Sequence, residues 1–483
     1  MWHADPSGKG AQPVRPEDHG GVTDSGRTGL FAGLFDRGAA PTGDAAWLQA
    51  MLDAEAALAR ALERAGLAAA GAGAAVTAAA RADGFDPAEL GRQAVLTGNP
   101  VPALVRALSA KLPADAREAV HRGATSQDII DTAAMLIARR ALDTIMADLE
   151  SAADCAAGLA QRHAQTVMAG RTLLQQAVPV TFGLVAAGWL ISIDDARTEL
   201  GRVRDTGLAI QYGGAAGTLA SLGPAGPTVT ALLAAETGLP EPVLPWHTDR
   251  QRILRLAAAL TGACAALGKV ARDVTLLAET EIGEVAEGAG EPGRGGSSAM
   301  PQKRNPVASV LILGCARRAP GLLATLAAAT EHELQRAAGA WHAEWEPLSD
   351  LLRLTGSAAS WAAELLAGLR ADENRMRANL DAAGGLPLAE HLAAVLAPRL
   401  GRLAAHDLIA AAAAAAVAGG LSLPDAMLAD PARSATLASA EVTRAELEAA
   451  VDPAAYLGTA AEFVRRALTA HRNQAAAERT RAQ

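Results

Sequence analysis

The sequence predicts an all-α protein, with a long central helical bundle flanked by two smaller helical domains. A heptad-like seam is the first ground: Ile253, Leu256, Leu260, Cys264, Leu267, Val270, Val274 and Leu277 step by three or four residues. No proline interrupts the chain between Arg250 and Glu291, and at ~1.5 Å per residue such a helix approaches 60 Å. Two further segments, about 179–203 and about 307–334, read the same way. Helices this long cover their apolar faces only in a bundle. Composition agrees, because 50% of the 483 residues are hydrophobic and only 3% aromatic. The core is therefore built from Ala, Leu and Val rather than from rings.

The elements follow in order. Residues 1–43 carry Gly, Pro and charge without a period and are expected to form a mobile leader. From Ala45 the pattern turns helical: Trp47, Met51, Ala54, Leu58 and Leu62 recur at three- and four-residue steps, with Asp44 placed to cap. This opens an N-terminal helical domain over 44–150, and the bundle domain follows over 151–375. Continuing the seam beyond Leu277 reaches Glu281 and then Glu284. A carboxylate on an apolar face is costly unless it is paired or functional; otherwise the helix end has emerged into solvent. Beyond residue 375 the helices shorten, with turns at Gly384-Gly385, Gly419-Gly420 and Pro424. The Ala410–Ala416 tract is a strong helix former, and a small C-terminal helical domain is expected over 376–483.

Several function classes are excluded early. A net charge of −9 argues against a general nucleic-acid binder. Cys155, Cys264 and Cys315 lie far apart, with neither a disulfide framework nor a CxxC spacing, so a reducing, cytoplasmic setting is expected. The first 24 or so residues lack the apolar stretch of a signal peptide, and the longest apolar run, 408–417, is short of a bilayer span. No membrane partner is expected. The ten histidines show no HxxxH or HExxH spacing, and there is no P-loop and no nicotinamide or flavin fingerprint. Neither a metal nor a cofactor is expected.

The chemistry concentrates after the long helix, in Glu287-Gly-Ala-Gly-Glu-Pro-Gly-Arg-Gly-Gly-Ser-Ser-Ala-Met-Pro-Gln-Lys-Arg-Asn-Pro306. Gly288, Gly290 and Gly293 spell GxGxxG, but the motif follows a helix and contains Pro292, which is wrong for a dinucleotide site. The segment reads better as one mobile loop. Ser297 and Ser298 offer hydroxyls, Lys303 and Arg304 positive charge, and Asn305 a carboxylate partner. A flexible segment with a nucleophile or base beside cations suits closure over an anionic substrate. A plain surface linker is the alternative, weakened by Ser, Lys and Asn falling within nine residues.

Gly296-Ser-Ser-Ala-Met-Pro-Gln-Lys-Arg-Asn-Pro306 resembles the GSSxMPxKxNP signature of the fumarase/aspartase superfamily. His121-Arg-Gly-Ala-Thr-Ser-Gln-Asp-Ile-Ile-Asp-Thr132 is similar to its first signature region, and Gly170-Arg-Thr-Leu-Leu-Gln-Gln-Ala-Val-Pro-Val-Thr-Phe-Gly183 to its second. The resemblance extends from about residue 48 to about residue 468. Within the superfamily, Gln211-Tyr-Gly-Gly-Ala-Ala-Gly-Thr-Leu219, Pro245-Trp-His-Thr-Asp-Arg250, Trp341-His-Ala-Glu-Trp345 and Asp452-Pro-Ala-Ala-Tyr-Leu-Gly458 look most like the bacterial 3-carboxy-cis,cis-muconate cycloisomerases.

The resemblance implies a three-domain all-α fold and a cofactor-free β-elimination, or its reverse, on a succinate-like polycarboxylate. It also implies a homotetramer whose active sites draw on three subunits. A base removes a proton α to a carboxylate, and the developing aci-carboxylate needs fixed donors and cations around it. By resemblance Ser298 is the base, ionised by nearby positive charge, and Lys303 and Asn305 hold substrate carboxylate. Thr125 and Ser126 offer hydroxyls at a helix start that can receive an anion, and Thr172 and Gln175 complete the pocket. The Thr125-Ser126 pair followed by Asp128 is equally an ordinary capping sequence. His121 is either a proton donor or a solvent-facing residue. His247 and Arg250 are candidates to bind a carboxylate, the alternative being that Arg250, Arg252 and Arg255 only decorate a solvated face, and His342 is either a core histidine or a catalyst.

Four positions depart from the family pattern. Leu173 stands where many members carry His, and Gln176 where cycloisomerases can carry one. Gln302 replaces the signature's His, and Val185 a frequent Lys. Each change removes a titratable group or a possible cation, which suits a tricarboxylate less well than a substituted succinate. The leading expectation is thus a lyase closest to the carboxymuconate cycloisomerases. The alternative is a lyase that releases fumarate, such as a nitrosuccinate lyase or an adenylosuccinate- or argininosuccinate-type lyase. A catalytically silent bundle protein is disfavoured by the intact Ser298, Lys303 and Asn305.

Overall fold

A computed structural model describes residues 30–38, 42–288 and 294–482. A single turn, α1 (Ala32–Phe35), precedes α2 (Asp44–Arg64). Short helices follow: α3 (Ala72–Ala79), α4 (Pro87–Ala94), α5 (Val101–Ala110) and α6 (Ala114–Arg117). The long helix α7 (Ser126–Arg162) leads into an antiparallel ribbon of β1 (Val167–Thr172) and β2 (Gln175–Thr181). Then come α8 (Phe182–Arg202), α9 (Gly226–Thr237) and α10 (Gln251–Leu277). A two-residue strand, β3 (Val285–Ala286), stands before α11 (Val307–Ala328) and α12 (Trp345–Gly368), and pairs with β4 (Arg370–Ala371). The chain ends through α13 (Glu373–Asp381), α14 (Ala389–Leu400), α15 (Arg402–Gly419), α16 (Leu423–Ala429), α17 (Pro431–Ser439), α18 (Arg444–Ala450) and α19 (Ala460–Ala482).

The seam residues on α10 are all buried, facing α8, α11 and α12. The helix is shorter than expected, however. Its 27 residues give about 40 Å, because the chain turns at Gly283, whose φ is +61°, and the Glu284 N–H returns to the Leu277 carbonyl at 2.9 Å. The longest helix is instead α7, whose 37 residues span about 55 Å. Asp44 is the first residue of α2 rather than its cap; Gly43 holds the cap position.

The 150/151 division falls inside α7, and one hydrophobic core joins α2 to the bundle helices α7, α8, α10, α11 and α12. A separate core lies among α14–α18, while α19 returns to pack on α7 and α8. Of the expected leader, residues 1–29 and 39–41 lie outside the described residues. The part that is described, 30–38, lies against α11 and α12. By length and composition α10, α11 and α15 could cross a membrane, contrary to the reading of the 408–417 run alone. In the structure α10 and α11 spend their apolar faces on the bundle core.

The helix directions give the bundle two distinct ends. The starts of α7, α10 and α12 meet where Arg250 bridges Asp131 and Glu344. At the opposite end the finish of α7, the ribbon, the finish of α10 and the finish of α12 meet, around the Arg171–Glu284 pair and the close approach of Gly288 to Gly368.

Candidate active site

At the first end, His121 stands just ahead of α7 with a left-handed φ of +58°. That conformation is uncommon outside glycine, and here Glu55 fixes it. The buried carboxylate accepts the His121 N–H at 2.8 Å and pairs with Nδ1 at 2.7 Å. Burial pushes the imidazole pKa down, but the Glu55 hydrogen bond and charge, with Asp128 beyond, outweigh it and raise the pKa above its usual value. His121 is therefore a half-exposed ring biased toward its cationic form.

Thr125 and Ser126 are half-buried at the start of α7. Asp128 reaches back to the Thr125 N–H at 2.9 Å, so the capping role is present. The same carboxylate accepts the Gly213 and Gly214 N–H groups at 3.1 and 2.9 Å and pairs with His247 Nε2 at 2.6 Å. This clamps the 211–219 turn onto the helix start, and Gly214 makes the turn at φ +66°. Arg336 adds a half-buried guanidinium, donating to Gln127 Oε1 at 3.1 Å and to the Gly214 carbonyl.

Two expectations are corrected here. Arg250 is 1% exposed, and its guanidinium is engaged by protein carboxylates. Nη1 donates to Asp131, Nε to Glu344, and Nη2 to both. Its charge is spent inside the protein, not on a solvated face. His247 is likewise buried against Asp128. His342 is exposed rather than a core histidine, with Nε2 3.0 Å from the Gly98 carbonyl.

At the other end, Thr172 and Gln175 pair across the tip of the ribbon and are both exposed. The turn between them is Leu173-Leu174, with φ of +52° and +64° and exposures of 97% and 69%. Gln176 donates to the Asn379 carbonyl at 3.1 Å, so it ties the ribbon to α13. Glu284 is a paired structural carboxylate: Arg171 grips it at 2.9 and 2.6 Å, and Asn379 Nδ2 adds a bond at 2.8 Å. Glu281 is exposed.

The same end carries the signature loop from Arg294 onward, residues 289–293 lying outside the described residues. Ser298 and Lys303 are exposed, and the Ser297 hydroxyl accepts the Met300 N–H at 3.2 Å. Asn305 closes the neck of the loop, donating both its N–H and its side-chain amide to the Gly295 carbonyl at 2.8 and 3.1 Å. Gly295 lies at φ +72°, and a Cβ there would come within 2.6 Å of the Asn305 carbonyl. Glu287 caps α11 through the Ala308 and Ser309 N–H groups and the Ser309 hydroxyl.

Within one chain, then, His121, Thr125 and Ser126 stand together at the start of α7, while Thr172 and Gln175 on the ribbon tip, and Ser298, Lys303 and Asn305 on the loop, lie towards the other end of the bundle. The length of the bundle separates the two groups. Glu55 and Arg336 were missed from sequence, as was the second task of the capping residue Asp128, its clamp on Gly213, Gly214 and His247; Glu55 lies 66 residues before His121 and belongs to no motif. No cluster of three or more His, Cys, Asp or Glu side chains fit to hold a metal occurs among the described residues.

A lyase family model matches residues 42–321, and a model of the adenylosuccinate lyase C-terminus matches residues 385–467. The chain is 47% identical over 427 residues to a 3-carboxy-cis,cis-muconate cycloisomerase of Pseudomonas aeruginosa, covering 88% of this chain and 92% of the other. It is also 47% identical over 444 residues to a nitrosuccinate lyase of Streptomyces davaonensis, covering 89% and 91%. The crystal structure of the 3-carboxy-cis,cis-muconate lactonizing enzyme from Pseudomonas putida superposes with a TM-score of 0.85 at 42% identity, covering 92% of this chain and 99% of that one.

Proposed function

We propose, from the premise that this chain belongs to the fumarase/aspartase superfamily of lyases, that it interconverts a succinate-like polycarboxylate and its unsaturated partner, with 3-carboxy-cis,cis-muconate as the leading substrate. The observation that carries the reading is the exposed Ser298–Lys303 loop, held at its neck by Asn305 and Gly295. In the elimination direction Ser298, as alkoxide, takes the proton from the carbon α to a carboxylate. The electron pair moves into that carboxylate as the aci-form. When it returns, the C=C bond forms and the bond to the leaving oxygen breaks. Lactonisation is the reverse: the substrate's own carboxylate adds, and the Ser298 hydroxyl protonates carbon. Lys303 and cationic His121 stabilise the doubly negative intermediate.

Because the two residue groups stand at opposite ends of one bundle, the active site on this reading is completed by other copies of the chain, in a cytoplasmic homotetramer. A groove of about 660 Å³ between α8 and α10 has a floor of small residues, Ala196, Ala258, Gly262 and Ala266 among them, and carries Asp195, Glu199, Arg202, Arg255 and Lys269, so it offers both close approach and charge pairing to another copy.

A second reading, nitrosuccinate elimination, is supported by one specific feature that it shares with the first. Leu173 and Gln176 leave this ribbon tip without the family's histidines, and Gln176 is spent on α13. A carboxylate and nitrite both depart as stable anions without a proton donor, whereas an amine does not. This keeps both anion-releasing readings and disfavours adenylosuccinate- and argininosuccinate-type lyases. An ultraviolet assay with 3-carboxy-cis,cis-muconate decides between them. Loss of the diene absorbance with wild type and not with Ser298→Ala is the expected result. Persistence of the diene, with nitrite and fumarate released from nitrosuccinate, would replace the cycloisomerase by the second reading.

A further inference from the structure

The N-terminal stem of the Ser298 loop touches the last turns of α12 at two points. At the first, Gly288 lies so close to Gly368 that a Cβ would come within 2.8 Å of the Gly368 carbonyl. At the second, Arg294 pairs with Glu364 Oε1 and sets its guanidinium 5.2 Å from the centre of the Trp361 ring. The segment 30–38 reaches the same two side chains. Arg37 pairs with the second Glu364 oxygen, Oε2, and lies 4.1 Å from the centre of the Trp361 ring. A single carboxylate and a single indole thus hold the loop's stem and the N-terminal segment together.

The segment is seated by specific contacts. Arg353 donates to the Phe35 carbonyl at 3.0 Å and to Asp36 at 2.5 Å, and Trp361 Nε1 donates to the Leu34 carbonyl at 3.3 Å. The Phe35 ring lies against Gly314. Gly38, at φ +59°, has its Cβ position 2.4 Å from the Ser360 Cβ, so the chain passes where no side chain fits.

We propose that Glu364 and Trp361 are positioning residues for the Ser298 loop, and that the N-terminal segment, through Arg37, fixes the side chain that holds it. This rests on the reading of Ser298 as the base. A Glu side chain with one oxygen on each of two guanidiniums has little rotamer freedom left. Without Arg37, Glu364 regains that freedom, and the tether on Arg294 weakens without the bundle losing any core contact. Partly exposed pairs of this kind contribute little to global stability, so the effect appears as local opening.

Hydrogen–deuterium exchange of the full chain tests this without requiring turnover. In Arg37→Ala and in Glu364→Gln, exchange over 294–306 should quicken by about fivefold, the upper range for a partly exposed pair, while exchange over 121–132 stays at the wild-type rate. Arg37→Lys should restore part of the protection. With whichever substrate Ser298 turns over, kcat should fall and KM hold. Wild-type exchange over 294–306 in both variants would overturn the proposal, as would quickened exchange with unchanged kcat. If neither substrate is turned over, the exchange result still decides the tether, and the failure falls on the functional reading alone.

Discussion

Glu55 shows most directly how a distant residue sets the chemistry of a motif residue. It accepts the backbone N–H of His121 and its ring N–H together, which fixes the left-handed turn and raises the imidazole's pKa. If cationic His121 stabilises substrate charge, activity is present below the His121 pKa and is lost as pH rises through it. In Glu55→Gln the larger raising influence is lost, leaving only Asp128 against burial, so the alkaline limb of kcat/KM should move to lower pH. An unmoved limb would remove His121 from the mechanism. Arg250 illustrates the opposite case. Sequence placed it in a plausible carboxylate-binding motif, yet Asp131 and Glu344 take its charge. Arg250→Ala strands two buried carboxylates and should cost roughly 3–5 kcal/mol of stability, read as a lowered urea midpoint. A normal midpoint with a raised KM would restore it as a substrate ligand. The sequence did not show this pairing, because spacing along a chain does not report which acids fold back onto a base.

The helices were far more legible than the ribbon. The α10 seam was readable because a buried helix must repeat its apolar residues every three or four positions. Its end at Leu277 was not, since Gly283 and the buried Arg171–Glu284 pair, rather than any periodicity, stop it. The ribbon carried no clear alternation, and its turn uses leucine where glycine or asparagine is the usual choice. Two consecutive positive φ angles match the two-residue turns that favour Asn-Gly. Replacing Leu173-Leu174 by Asn-Gly should therefore relieve strain of order 1 kcal/mol or more and raise the thermal midpoint. An unchanged or lowered midpoint would mean that the two exposed leucines are held by contacts that only an assembled protein provides.

At the scale of the whole molecule, the all-α class and the three signature blocks were legible from sequence, whereas their separation was implied only by the family resemblance and not by the chain's own pattern. A single chain places His121, Thr125 and Ser126 at the start of α7 and the Ser298 loop beyond its far end, about 55 Å away along the helix. Nothing in a one-dimensional pattern reports that distance, because it depends on which helices run parallel. The central claim is that these groups work as one active site across copies of the chain. Mixing His121→Gln with Ser298→Ala, after dissociation and reassembly, tests it most directly. Each variant alone should be nearly inactive, and the equimolar mixture should regain up to about a quarter of wild-type turnover, from sites that take each intact residue from a different copy. A mixture no more active than its two components would contradict a shared site.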